Sequence, residues 1–466
     1  MPSESMRLLE KTMSSNDVVT NSNVILHAFD WPYERVAQHA EQIKAAGYQT
    51  VLVSPPMKSF YQGEDTQWWQ LYQPQDYRLI DNKLGNTLDF KHMMLAAKKA
   101  GLWVYVDVVF NHMANESGHR LDLQYPCDSA MKEYHGNADV YQTLTLFGDL
   151  SEPLFTEEDF VEAFGITNWQ DRWEVQNGRL TGGPNDPGLP TLRTNENVVL
   201  QQQAYLNALK ALGVRGFRID AAKHLTVEHI KQVFTEEITE GLHVFGEIIT
   251  DGGATKQEYE LFLEPYLQET RLAAYDFPLF NTVFDAFSEK GSLTSLIDPY
   301  CFGQSLKHSR SITFAITHDI PCNDVFKNLV LPESSEWLAY TYILCRDGGV
   351  PLVYSDLNPS GITNSTGKPR WLDAWKDEKL VKLIEFHNQF HGLPASLVEA
   401  NDDLLVFTRG ENGVVAINKS SKTRKVRIAS QESGIDILNE QEYPSINGVI
   451  ELEVTPKSSS VLIIQH

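Results

Sequence analysis

Cysteine is scarce. Four residues, Cys127, Cys301, Cys322 and Cys345, are scattered over 466 positions with no Cys-x-x-Cys pair. That spacing excludes zinc-ribbon and dithiol redox motifs and fits free thiols in a reducing compartment. No apolar run approaches the roughly 18 residues of a membrane span, so no membrane partner is expected. The N-terminal stretch is polar and mixed in charge, without the apolar core of a secretory signal, and a cytoplasmic location is expected from it. Positive charge is also short: 39 Lys and Arg stand against 62 Asp and Glu, a formal net charge of −23. Such a surface repels phosphate backbones and excludes nucleic acid as a partner, while a neutral substrate is indifferent to it. There is no internal repeat and no low-complexity tract, and nothing sets an oligomeric state.

Short apolar runs alternate with helical patterns. Strands are expected at Val24–Phe29, Thr50–Ser54, Trp103–Phe110, Gly216–Ile219, His243–Gly246, Ala273–Phe277, Ile312–Ile316 and Leu352–Tyr354. Helices are expected over Tyr33–Ala46, Leu88–Ala100 and Val198–Leu212. This order fits an α/β fold, a closed (β/α)8 barrel. A doubly wound sheet would show a glycine-rich phosphate turn after its first strand, and His27-Ala28-Phe29-Asp30-Trp31 has none. The connection after the third strand is too long for a structureless loop and reads as an inserted subdomain. After about Gly392, short strands separated by turns read as an all-β C-terminal domain. The division expected is a barrel over 1–112 and 198–391, an insertion over 113–197 and a β-sandwich over 392–466.

Chemistry in such a barrel gathers where the strands end. In Gly216-Phe217-Arg218-Ile219-Asp220, residues i and i+2 of a strand share a face, so Arg218 should hold Asp220 ionised. Alone, such a pair is more commonly a structural ion pair. The other strand ends bring Asn111 and His112, Glu247, and His318 with Asp319 to the same rim. Three acids and two histidines converging there are hard to ascribe to helix caps and solvated loops.

The segments DVVFNH (107–112), GFRIDAAKH (216–224), FGEII (245–249) and ITHD (316–319) resemble, in order and spacing, the four signature regions of the α-amylase family of glycoside hydrolases. Gln67-Trp68-Trp69-Gln70-Leu71-Tyr72-Gln73-Pro74 resembles the WWxxYQP element of amylases close to the animal type. The resemblance implies retaining hydrolysis of internal α-(1→4) links in starch, glycogen or maltodextrin. It makes Asp220 the nucleophile, Glu247 the general acid and base, and Asp319 the acid that grips sugar hydroxyls. A retaining enzyme needs its two carboxyl groups roughly 5–5.5 Å apart. Burial beside a second acid suits Glu247 to hold a proton. His112 and His318 are expected as hydrogen-bond donors to the same sugar, with Arg218 beside them. Tyr72 and Trp69 fall on the non-reducing side, Gln73 is expected to bind substrate, and Lys223 and His224 fall on the leaving-group side.

The resemblance also implies a calcium ion held by Asn111, the carbonyl of His224 and a carboxylate. Thr191 stands where that carboxylate is expected, so either Asp186 supplies the charge or calcium is bound weakly or lost. Chloride activation is not expected, because 349–353 carries no cation and Thr317 precedes His318. A transglycosylase or oligosaccharide glucosidase would use the same acids. A non-catalytic glucan-binding relative would commonly lack one of the three.

Overall fold

Eight parallel strands close into one ring: β1 (Ile25–Ala28), β2 (Thr50–Val53), β3 (Trp103–Val109), β4 (Gly216–Asp220), β5 (His243–Gly246), β6 (Ala273–Tyr275), β7 (Ser311–Phe314) and β8 (Val350–Ser355). They come from a computed structural model that describes residues 23–465 apart from Glu64 and Pro184. The stretch read for a secretory signal lies, up to residue 22, outside the described residues. Each strand pairs with its sequence neighbour, and β1 closes the ring on β8 through Ile25↔Leu352 to Ala28↔Ser355. Nearly all strand residues are buried, which is why the barrel strands appear as continuous apolar runs rather than alternating ones. Among the described residues no helix is long and apolar enough to cross a membrane.

The longer helices are α1 (Tyr33–Ala45), α2 (Thr87–Ala100), α3 (Glu196–Ala211), α4 (Phe277–Phe287), α5 (Glu333–Cys345) and α6 (Glu378–Phe390). Their limits follow from local chemistry. The Asn86 side chain accepts from the amides of Leu88 and Asp89, Asp89 reaches back to Asn86, and Gly101 ends α2 with a left-handed φ of 73°. Strand β6 stops two residues before the sequence suggests. Asp276 there caps α4 through the Leu279 amide, and Pro278 occupies the first helical turn.

Between β3 and α3 the chain forms short helices, Asp128–Gly136, Ala138–Leu144 and Arg172–Asn177, tied by isolated bridges such as His112↔Thr191 and Phe160↔Leu192. Arg78 anchors this insertion. It pairs with Asp76 at 2.9 Å and donates to the carbonyls of Asp149 and Glu152.

The C-terminal strands are β9 (Ala395–Ala400), β10 (Leu404–Arg409), β11 (Gly413–Asn418), β12 (Arg424–Ala429), β13 (Gly434–Asp436), β14 (Gln441–Tyr443), β15 (Ser445–Ile446), β16 (Val449–Val454) and β17 (Ser458–Ile464). One sheet runs β9-β10-β11-β17-β13-β14 and the other β12-β16-β15. Alternation sorts the first sheet's side chains: Leu404, Val406, Val414 and Ala416 face the second sheet, while Leu405, Phe407, Val415 and Ile417 join the main core. Arg409 clasps the junction. Its guanidinium donates to Cys345 O at 2.6 Å and Phe390 O at 2.7 Å, the last carbonyls of α5 and α6.

Candidate active site

Strand β4 presents Arg218 and Asp220 on the same face, and Arg218 Nη1 lies 3.0 Å from Asp220 Oδ1. Asp107, registered beside Arg218 on β3, accepts from the same nitrogen at 2.7 Å. Arg218 Nη2 donates to Glu247 Oε1 and lies 3.7 Å from Asp319 Oδ2. Glu247 stands just past β5, its amide bonded to Ile219 O at 2.9 Å and its Oε2 accepting from Ala221 N at 3.3 Å. One fully buried guanidinium thus faces four carboxylates contributed by β3, β4 and the ends of β5 and β7. Asp220 and Glu247 point at a common centre.

Four buried acids cannot all ionise against one cation. Burial is the largest influence on each. It pushes Asp220 and Glu247 up to about 8 and Asp107 to about 6, and raises Asp319, with Arg218 opposing in every case. The contact between Glu247 and Asp319 raises the first and lowers the second, so of the two Glu247 holds a proton more readily. Sequence alone pairs Arg218 with Asp220. The structure divides that cation among four acids, so burial outweighs it at Asp220.

His318 is held flat. Its ring stacks on Phe29 at 4.4 Å and on Tyr72 at 5.4 Å, with Trp68 edge-on at 5.8 Å and Nε2 3.4 Å from Asp319. Burial, then the nearby Arg218, depresses its pKa well below the usual value, so it is a neutral donor. Tyr72 adds a hydroxyl bonded to Asp107 at 2.9 Å. Trp69, next in sequence to Trp68, is half exposed.

Three residues expected to contact sugar have partners within the protein. His112 was expected to donate to sugar, but its Nε2 donates to the Tyr72 carbonyl at 2.9 Å and its Nδ1 lies 3.3 Å from the Asn111 amide. With both nitrogens occupied and a pKa lowered to about 4 by burial, His112 positions Tyr72. Lys223 reaches Glu258 at 3.0 Å. Gln73 accepts the Asn115 amide at 3.1 Å and so pins the start of the insertion. His224 is buried, with Nδ1 donating to Val175 O at 3.0 Å. Trp169 stands edge-on to its ring at 5.9 Å. Trp169, Asp107 and Phe29 were not singled out from sequence. Asp107 alone carried a signal, as a charge inside an apolar strand.

The residues at the expected calcium position do not fit a hard dication. Thr191 is neutral, and its hydroxyl donates to Gly178 O at 3.1 Å. The Asn111 side chain turns its amide nitrogen to His112 Nδ1 at 3.3 Å, so it too brings no negative charge. Asp186 is exposed and accepts from Asn115 Nδ2 at 2.6 Å and Gly188 N at 2.9 Å, away from that buried set. Among the described residues no group of three His, Cys, Asp or Glu is arranged to hold a metal.

The profile of the α-amylase catalytic domain matches residues 33–288. An α-amylase from Aeromonas hydrophila is 48% identical over 86% of this chain and 85% of its own length. The chain belongs to the α-amylase family. It is a glycoside hydrolase of that family. An α-amylase from Clostridium acetobutylicum is 28% identical over 86% of this chain, which spans about half (48%) of that relative's length. Among solved structures, an α-amylase I variant from Eisenia fetida, in complex with maltohexaose, matches with a TM-score of 0.77 at 18% identity, covering 96% of this chain and 98% of that one. That likeness is one of fold. This amylase therefore shares the closed barrel and the added β-sheets of its relatives, while its Thr191 and His112 contacts are described from its own side chains.

Proposed function

We propose that this amylase hydrolyses internal α-(1→4) links of an α-glucan with retention of configuration. The observation that carries the reading is the single guanidinium of Arg218 facing Asp220, Glu247 and Asp319 together. Asp220, in its ionised form, attacks the anomeric carbon. Glu247, protonated beside Asp319, gives its proton to the leaving oxygen and then takes one from the incoming water. Asp319 and His318 hold the hydroxyls of the sugar being distorted. Tyr72, Trp68 and Trp69 offer flat apolar faces on one side of the cleft, and His224 with Trp169 on the other.

Neither calcium nor chloride enters this reading. At the calcium position Thr191 replaces a carboxylate with a neutral hydroxyl that already donates to Gly178 O, and 349–355 carries no cation that could share an anion with Arg218. Products from maltoheptaose, followed by chromatography and by the NMR signal of the newly formed anomeric carbon, test the proposal. The expected result is a spread of shorter α-maltooligosaccharides formed first with the α-configuration. First products in the β-configuration, or loss of single glucose units only, would overturn it.

A further inference from the structure

The insertion shows two indoles to water. Trp169 is 47% exposed and Trp173 is 64% exposed, and the Trp173 ring lies flat on Phe164 at 5.5 Å and 4°. We propose that Trp173, backed by Phe164, is a platform for glucose units of an α-glucan chain beyond the leaving-group side of the cleft. This rests on the glucan-cleaving reading above and extends it to chain length.

The two indoles leave one stiff piece of backbone. The Glu174 carboxylate accepts the amides of Thr167 and Asn168, Asn168 Oδ1 accepts Gln170 N at 3.0 Å, and Asp171 Oδ1 accepts Trp173 N at 2.9 Å and Glu174 N at 3.1 Å. A turn knotted this way presents its rings already ordered, which lowers the entropy lost on binding. Phe164 covers one face of Trp173 and blocks its collapse onto the protein, so the other face remains available.

Continuity selects the occupant. Trp169 stands edge-on to His224, the last residue of the turn Ala222–His224 that follows Asp220, and Trp173 lies four residues further along the same knotted segment. A sugar chain leaving the cleft on that side meets aromatic faces suited to its C–H surfaces. Its neutrality also suits a protein of net charge −23, which would repel an acidic polypeptide.

The experiment compares kcat/KM on amylose with kcat/KM on maltotriose, for the wild type, Trp173→Ala and Trp173→Phe. The ratio is expected to fall about 3–10-fold in Trp173→Ala, the loss of one stacked ring, and to recover partly in Trp173→Phe. An unchanged ratio, or equal losses on both substrates, overturns the platform. If the wild type cleaves amylose and the ratio does not move, this inference alone fails. If the wild type cleaves neither substrate, the reading beneath it fails as well.

Discussion

Arg218 and Asp107 meet at 2.7 Å with neither side chain exposed. Asp107 stands on β3, behind the rim, and adds a negative charge to the surroundings of Asp220 and Glu247. Removing that charge lowers the pKa of both acids and frees more of Arg218 for them. Asp107→Asn is therefore expected to move the alkaline limb of kcat/KM to lower pH, by up to about one pH unit. Far-UV circular dichroism separates this shift from misfolding. A limb that stays in place or moves upward would remove Asp107 as a positioning residue.

The wild-type limb has its own expected position. In the proposed mechanism Glu247 must carry a proton, and burial raises its pKa to about 8. The pKa of Asp220, which must be ionised to attack, is raised by the same burial, so activity should rise as Asp220 loses its proton and decline as Glu247 loses its own, and Glu247→Gln should abolish turnover at every pH. A pH–rate profile flat to pH 10 would contradict this.

Asp220 links activity to stability. Its folded pKa is raised from 3.8 to about 8 by burial. Between those values the folded state holds a proton that the unfolded state has released, so its contribution falls as pH rises across that window. Asn imitates the protonated form. Asp220→Asn should lose nearly all turnover, melt a few degrees higher at pH 7–8 and show a flatter dependence of melting temperature on pH. A lower melting temperature at pH 8 would refute the assignment of the buried charge.

Thr191 gives a chelation experiment. Its hydroxyl bonds Gly178 O where the family's metal-binding carboxylate is expected. Treatment with EDTA should leave melting temperature and rate unchanged, whereas Thr191→Val should destabilise by about 1 kcal/mol through loss of the hydrogen bond. Inactivation by EDTA that is reversed by calcium would show a metal this donor set does not support.

Arg409 tests the junction with the C-terminal sheets. Arg409→Met keeps much of the stem but strands the carbonyls of Cys345, Arg346 and Phe390. A loss of about 2–4 kcal/mol is expected, read as a drop in melting temperature. An unaltered transition in differential scanning calorimetry would show that water replaces the guanidinium there.

The barrel was legible because its strands are buried on both faces. Trp103–Val109 and Gly216–Asp220 stand out as apolar runs between helical patterns. Strand β9 was not: most of Ala395–Ala400 is exposed at a sheet edge, so neither alternation nor a continuous run marks it. At the rim, Asp220, Glu247 and Asp319 were legible because acids at strand ends are sparse and directional. What those acids share was not. The division of Arg218, the occupied nitrogens of His112 and the pairing of Lys223 with Glu258 depend on partners brought together only by folding. Trp169 lay in an insertion with no periodicity to place it.

The sandwich of Phe29, His318 and Tyr72 has a consequence for synthesis on the ribosome. Its three layers come from the first strand, the loop after the second and the end of the seventh. A nascent chain has no finished wall for the sugar until residue 318 has left the exit tunnel, so cleavage of glucan begins only when most of the barrel has been made.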